Sequence, residues 1–220
     1  MTLDAEKSRI EELEQDNRRL RRLLDQRDAP GELRHRLRST VSLITGIVRR
    51  STQTPRDLIS YAAHLEDRID AITRAQALAD QFGQVNLRTL IADELLKYGA
   101  FEDERVSLTG PEVVFTSRTG QVIALAIHEL AVNAVEHGRL GVPEGRIDVA
   151  WTVDDLATGQ LTRFTWLETG GGTGSQPARH GFGTEVLTRM LRYECEAETR
   201  LEFGADGLRC TIQFSNLRQP

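Results

Sequence analysis

Residues 128–138 read HELAVNAVEHG, inside an apolar run that begins at Val122. Val122, Leu125, Ala126, Leu130, Val132 and Ala134 are ordinary contents of a buried helix. His128, Glu129, Asn133, Glu136 and His137 are not. Glu129 and Asn133 stand at i and i+4, one turn apart on one helix face. A carboxylate and an amide on a buried face cost desolvation free energy unless something binds them. Together they offer oxygen ligands to Mg²⁺, which takes one or two protein oxygens and completes its shell with water and phosphate. The plain alternative is that both face solvent from an amphipathic helix.

Working downstream, Arg146 to Val153 and Leu161 to Glu168 alternate as strands do, with Ala157-Thr-Gly-Gln160 as the turn between them. Gly170, Gly171, Gly172, Gly174, Gly181 and Gly183 then crowd a segment that ends at a helix expected over Thr184 to Tyr193. Backbone amides at such a start, with no side chains in the way, form a phosphate cradle. The spacing is neither a Walker A loop nor the Rossmann fingerprint. Thr199 to Phe203 and Leu208 to Phe214 pair as a hairpin across Gly204-Ala-Asp-Gly207. Upstream, Leu87 to Tyr98 reads as a short helix, and Val106 to Leu108 and Val113 to Thr116 as short strands. Helices plus a mixed sheet in one run give an α+β chain whose second part is a two-layer α/β sandwich.

The first 83 residues read differently. Leu3, Ile10, Asn17 and Leu24 fall seven apart, and Leu13 and Leu20 lie three beyond two of them. That is a coiled-coil seam with Asn17 at an a position, which favours a parallel, in-register pair. Asp28-Ala-Pro-Gly31 breaks it, because Pro30 removes a donor and Gly31 is a weak helix former. One apolar stripe follows at Leu33, Leu37, Val41, Ile44 and Val48, and another at Leu58, Tyr61, Leu65, Ile69, Ile72 and Leu78. Two helices joined at 51–57 form an antiparallel hairpin that buries little alone. Two such hairpins make a dimeric four-helix bundle, so a homodimer is expected. The expected domains are a coiled-coil signalling helix at 1–28, a hairpin at 29–83 and a sandwich at 84–220.

Composition sets the outer bounds. The chain has 220 residues, 39% hydrophobic and 28% charged, with net charge −5. Its basic and acidic residues are interleaved, which argues against nucleic acid as a partner. No stretch reaches the roughly 20 apolar residues of a membrane helix, and the polar N-terminus is no signal peptide. Cys195 and Cys210 fit neither a zinc spacing nor a disulfide framework, so a cytoplasmic, reduced protein is expected.

His128-Glu-Leu-Ala-Val-Asn133-Ala, Trp166-Leu-Glu168 followed by glycines, and Gly181-Phe-Gly-Thr184 resemble the nucleotide-binding boxes of a histidine-kinase catalytic domain. Specifically they resemble the HWE subfamily, whose letters are matched by His128, Trp166 and Glu168. Glu32 to Ser39 (ELRHRLRS) is similar to that family's phosphoacceptor box at the start of the dimerisation and phosphotransfer hairpin. The resemblance spans about residues 30–216 and keeps the family's motif order.

The resemblance implies a two-component sensor kinase that binds ATP and Mg²⁺. Asn133 would hold the cation, and Glu129 would help hold it or act as a base. Glu168 would accept from the adenine amino group. Gly170, Gly171, Gly181 and Gly183, with Phe182 and Thr184, would form the lid that lies over the nucleotide. His128 marks the subfamily, and His137 stands where it could touch phosphate. His35 would be phosphorylated and would pass the phosphoryl group to an aspartate of a response-regulator receiver domain. Neutral imidazole is the nucleophile such a step needs, and Arg36 and Arg38 disfavour the imidazolium. His64 and His180 have weaker claims.

Three departures bear on activity. Ser39 stands where the family usually has Asn, which touches any phosphatase role. Glu136 replaces a common Lys, placing negative charge near phosphate, with His137 or Arg139 to offset it. Gly172 replaces a frequent proline. No receiver or sensor segment is legible, so input is expected through the coiled coil, a partner or an upstream segment. The alternative reading is a non-enzymatic phosphotransfer protein whose ATP-binding domain has degenerated.

Overall fold

The computed structural model describes residues 31, 38, 40–51, 57–102, 105–156, 159–170, 181–204 and 207–216. The expected coiled coil at 1–28, the phosphoacceptor box around His35, and His180 lie outside these residues. The chain divides into two compact units, Met1–Thr45 and Gly46–Pro220. Residues 40–51 are helical (α1). Leu43 and Ile47 are buried, while Val41 and Val48 from the expected stripe are exposed. Helix α1 therefore carries a second apolar face besides the one its heptad-like spacing announces.

In the second unit, α2 (Leu58–Phe82) starts at Asp57, whose carboxylate accepts from the Ser60 amide at 2.9 Å. It stops at Gly83, whose left-handed backbone (φ 77°) closes the last turn onto Ala79. Its buried face is Arg68, Ala71, Ile72, Ala75 and Ala79, not the stripe of large residues through Leu58 and Leu65. Alanines at this spacing let another helix approach closely, and the helix that does so is α4.

A short strand β1 (Val85–Asn86) runs into α3 (Leu87–Lys97), where the Asn86 side chain accepts from the Thr89 amide at 3.2 Å. Strands β2 (Val106–Thr109) and β3 (Val114–Phe115) precede α4 (Ser117–Glu136). After it come β4 (Arg146–Leu156) and β5 (Gly159–Thr169). A composite helix follows: α5 (Phe182–Glu185), a π turn over Val186–Met190, and α6 (Leu191–Cys195). Strands β6 (Glu198–Gly204) and β7 (Gly207–Asn216) end the described chain.

The five-stranded sheet has the order β2-β4-β5-β7-β6. Only β2 and β4 are parallel; the rest pair antiparallel, so the sheet is mixed. β1 and β3 pair in a separate two-stranded ribbon. Alternation is strict on the inner strands: Ile147, Val149 and Trp151 of β4, Phe164 and Trp166 of β5, and Cys210, Ile212 and Phe214 of β7 are buried. One face of the sheet is covered and the other is not, as in a two-layer sandwich. Helix α4 is buried from Gly120 to Ala131 and again at Ala134. Over that stretch α4 is enclosed on every side, polar Gln121, His128 and Glu129 included.

Cys195 and Cys210 are free thiols. Burial pushes both up to about 12, so neither is a ready thiolate. Among the described residues, no helix is long and apolar enough to cross a membrane.

Candidate functional site

The polar residues threaded through α4 each have a distinct fate. Glu129 is 4% exposed, and both its oxygens are held by Arg68 of α2, at 2.6 Å from Nε and 3.3 Å from Nη2. Arg68 is itself buried. Its third edge donates to the Ser51 hydroxyl at 3.1 Å, and its flat face lies 3.8 Å from the centre of the Phe182 ring. One guanidinium therefore joins the end of α1, α2, α4 and α5. The charge that looked costly on a buried helix is matched by a buried cation from a residue 61 positions away.

Asn133, one turn on, is half-buried, and its side chain has no hydrogen-bond partner among the described residues. Gly183 lies directly against the pair. A Cβ there would sit 2.9 Å from Glu129 Oε2 and 3.3 Å from Asn133 Nδ2. The absence of a side chain at 183 is what lets α5 close on α4.

His128 does not face this cleft. It is 1% exposed, and its Nδ1 is 2.8 Å from Glu94 Oε1 of α3. Burial opposes ionisation of Glu94, but the hydrogen bond and charge of His128, with Arg74 and Lys97, outweigh it and hold the carboxyl below its ordinary 4.5. An ionised Glu94 only accepts, so Nδ1 carries the proton in that bond. Arg74 of α2 binds the other Glu94 oxygen. The motif histidine thus ends a relay that begins on α2.

Glu168 and Trp166 are two apart on β5 and so share its buried face. The Trp166 indole donates to Glu168 Oε1 at 3.1 Å, and the Arg139 amide donates to Oε2 at 3.0 Å. Burial is the largest influence on Glu168 and raises its pKa above the usual range, against those two donors. Gly138 makes room for it: a Cβ there would meet Glu168 Oε2 at 2.1 Å. The Trp-x-Glu spacing is therefore a local device in which the indole orients the carboxylate.

Of the other candidates, His137 is exposed at the end of α4, 3.7 Å from Glu136. Glu136 also pairs with His64 of α2 at 3.5 Å. Gly170 adopts φ 88° and packs under the Glu144 carbonyl. Gly181 caps α5, and Phe182 and Gly183 are buried there beside half-buried Thr184. Gly171 lies outside the described residues. Arg68, Ser51 and Glu94 belong to this constellation and were not anticipated. The only advance signal was the unpaired Glu129, which demands a cation without saying which.

This fold is that of a histidine kinase catalytic domain. Eighty per cent of the chain corresponds to 93% of the histidine kinase domain of the Erythrobacter litoralis EL346 blue-light activated histidine kinase, with a TM-score of 0.53 and 16% identity. Residues 32–112 match the HWE histidine kinase family. A blue-light-activated histidine kinase of Rhizobium johnstonii is 31% identical over 212 residues, which are 96% of this chain and 57% of that protein. One from Brucella ovis is 26% identical over 179 residues, 80% of this chain and 37% of that one. The chain is thus similar to HWE histidine kinases. It spans about half the length of these relatives or less.

Proposed function

We propose that the chain is an ATP-dependent protein-histidine kinase. In this reading it phosphorylates its own His35 and passes the phosphoryl group to an aspartate of a response-regulator receiver domain. The observation that carries the reading is the Asn133 amide, left without a partner among the described residues on an otherwise buried helix. It faces Gly183, where a side chain would fill the cleft.

The donor set suits Mg²⁺-ATP. Bound there, the nucleotide supplies the γ-phosphoryl group and the cation offsets its charge. Asn133 offers its amide oxygen to the cation. Glu168, already oriented by Trp166 and the Arg139 amide, retains acceptor capacity for the adenine amino group. Gly181 and Gly183 keep the backbone before and inside α5 open to phosphate, with Phe182 and Thr184 beside them. A neutral His35 nitrogen forms the N–P bond as the bond from the γ-phosphorus to the leaving ADP oxygen breaks. Glu129 is free to act as base or ligand only after Arg68 releases it. The chain works as a homodimer whose hairpins form a four-helix bundle joined to the 1–28 coiled coil.

The test is incubation with γ-labelled ATP and Mg²⁺. Acid-labile label is expected on the wild-type chain, with at least a hundredfold loss in His35→Gln and in Asn133→Ala. Folded protein that takes no label, yet accepts phosphate at His35 from a phosphorylated receiver, would instead be the phosphotransfer protein.

A further inference from the structure

We infer that Arg68 is a lock on the nucleotide cleft: while it grips Glu129 and covers Phe182, α2 holds α5 closed against α4. This rests on the kinase reading above and adds to it a residue outside every nucleotide-binding box, acting through Glu129 and Phe182 as a positioning residue.

The closed cleft is built from protein atoms. Gly183 stands so near Glu129 and Asn133 that even a methyl group would crowd them. A Mg²⁺ ion needs ligands at about 2.1 Å and room for several further oxygens around it. Helix α5 must therefore withdraw before a hydrated cation and phosphates can reach Asn133. What holds α5 down at that point is Phe182, buried beneath the Arg68 guanidinium. Arginine is suited to this double grip, since its edge forks to a carboxylate while its plane stacks on a ring.

The grip belongs to a longer seam. Gln76 of α2 accepts from Ser117 and Gln121 near the start of α4, at 2.7 and 2.5 Å. Arg68 holds the middle of α4, and His64 meets Glu136 at its end. Helix α2 is thus fastened along α4, and at Arg68 the fastening also reaches Phe182 of α5. The Ser51 hydroxyl ties the same guanidinium to the end of α1. A shift of the end of α1 would act on Arg68 through Ser51 and on α5 directly through the Arg50–Glu185 pair at 3.4 Å, which gives the helices a hold on nucleotide entry. A lock that leaves only a fraction of molecules open weakens apparent affinity by that fraction, and removing it restores the loss.

The test is equilibrium titration of the full chain with trinitrophenyl-ATP and Mg²⁺, alongside hydrogen exchange of α5. Arg68→Gln should bind at least fivefold tighter than wild type and exchange faster over Phe182–Glu185 without nucleotide. Arg68→Lys should fall between the two, since it keeps the charge and loses the fork and the stacked face. Ser51→Ala, which leaves Glu129 paired, should tighten binding about twofold if the apparent Kd follows the open fraction. A merely structural arginine gives the opposite sign, weaker binding in every variant. If Arg68→Gln does not fold, Ser51→Ala and Arg68→Lys decide; wild-type affinity in both overturns the lock. Tight binding by wild type with no gain in any variant overturns the lock alone. No binding by any variant, wild type included, overturns the kinase reading and the lock with it.

Discussion

At the scale of single residues, the three letters that mark the subfamily turn out to be three hydrogen-bonding problems. His128 satisfies Glu94, and Trp166 satisfies Glu168. Removing His128 leaves a buried carboxylate hydrogen-bonded to Arg74, with the Lys97 charge nearby, and opens a cavity in the core. His128→Ala should therefore lower stability by on the order of 3 kcal/mol, read as a shift in the urea midpoint. The pH dependence follows from Glu94. Its folded pKa lies below 4.5, so its contribution is complete above that value and is lost as pH falls through the folded pKa. Glu94→Gln cannot titrate, and its urea midpoint should fall less steeply than wild type between about pH 5 and pH 3. Equal slopes for the two proteins would mean that Glu94 titrates no differently once folded. Glu168 has the opposite sign, because its pKa is raised: its contribution is complete at low pH and declines as pH rises through the folded value.

At the scale of elements, legibility tracked how much of an element's environment its own pattern encodes. Helix α4 was readable because apolar residues recur densely from Val122 to Ala134, and the inner strands because alternate residues face one covered side. The two-residue strand β1 carries no period and was missed. The face of α2 that packs on α4 was not foreseen apart from Ile72, since alanines and an arginine do not resemble a core stripe; only their approach to α4 makes them one. The glycine boxes and Asn133 could be named as candidates from local spacing, whereas Arg68 depends on a contact across 61 positions. The π turn at Val186–Met190 was equally hidden, because an extra residue in a helix leaves the composition unchanged. Such turns cluster at functional sites, and this one sets the rotation of α5 relative to α6. Inserting one alanine beside exposed Thr188 should turn Phe182 and Gly183 by about 100° about the helix axis relative to α6. Far-UV dichroism should stay near wild type while trinitrophenyl-ATP affinity falls at least tenfold. Retained affinity would show that the turn has no part in placing α5.

At the scale of the whole molecule, the unresolved balance is between apolar surface that is covered and apolar surface that is not. Val41 and Val48 on α1 are 53% and 37% exposed, and Leu58 and Ile59 at the start of α2 are 80% and 83% exposed. Residues of this kind at helical spacing are what a four-helix bundle of two hairpins would cover. Each such side chain buried in a partner contributes roughly 1.5–3 kcal/mol. Replacing Leu58 and Ile59 with glutamate removes that contribution without harming the protomer, because acidic residues in the first turn favour the helix dipole. The double variant should raise the dimer dissociation constant at least tenfold in sedimentation equilibrium, with the heat-unfolding midpoint at fixed nucleotide little changed. If the proposed coiled coil over Leu3 to Leu24 forms, it would supply a second contact between subunits, and weakening rather than abolition is the expected outcome. An unchanged dissociation constant would mean that the two chains meet elsewhere, and the bundle would have to be abandoned while the nucleotide site stood untouched.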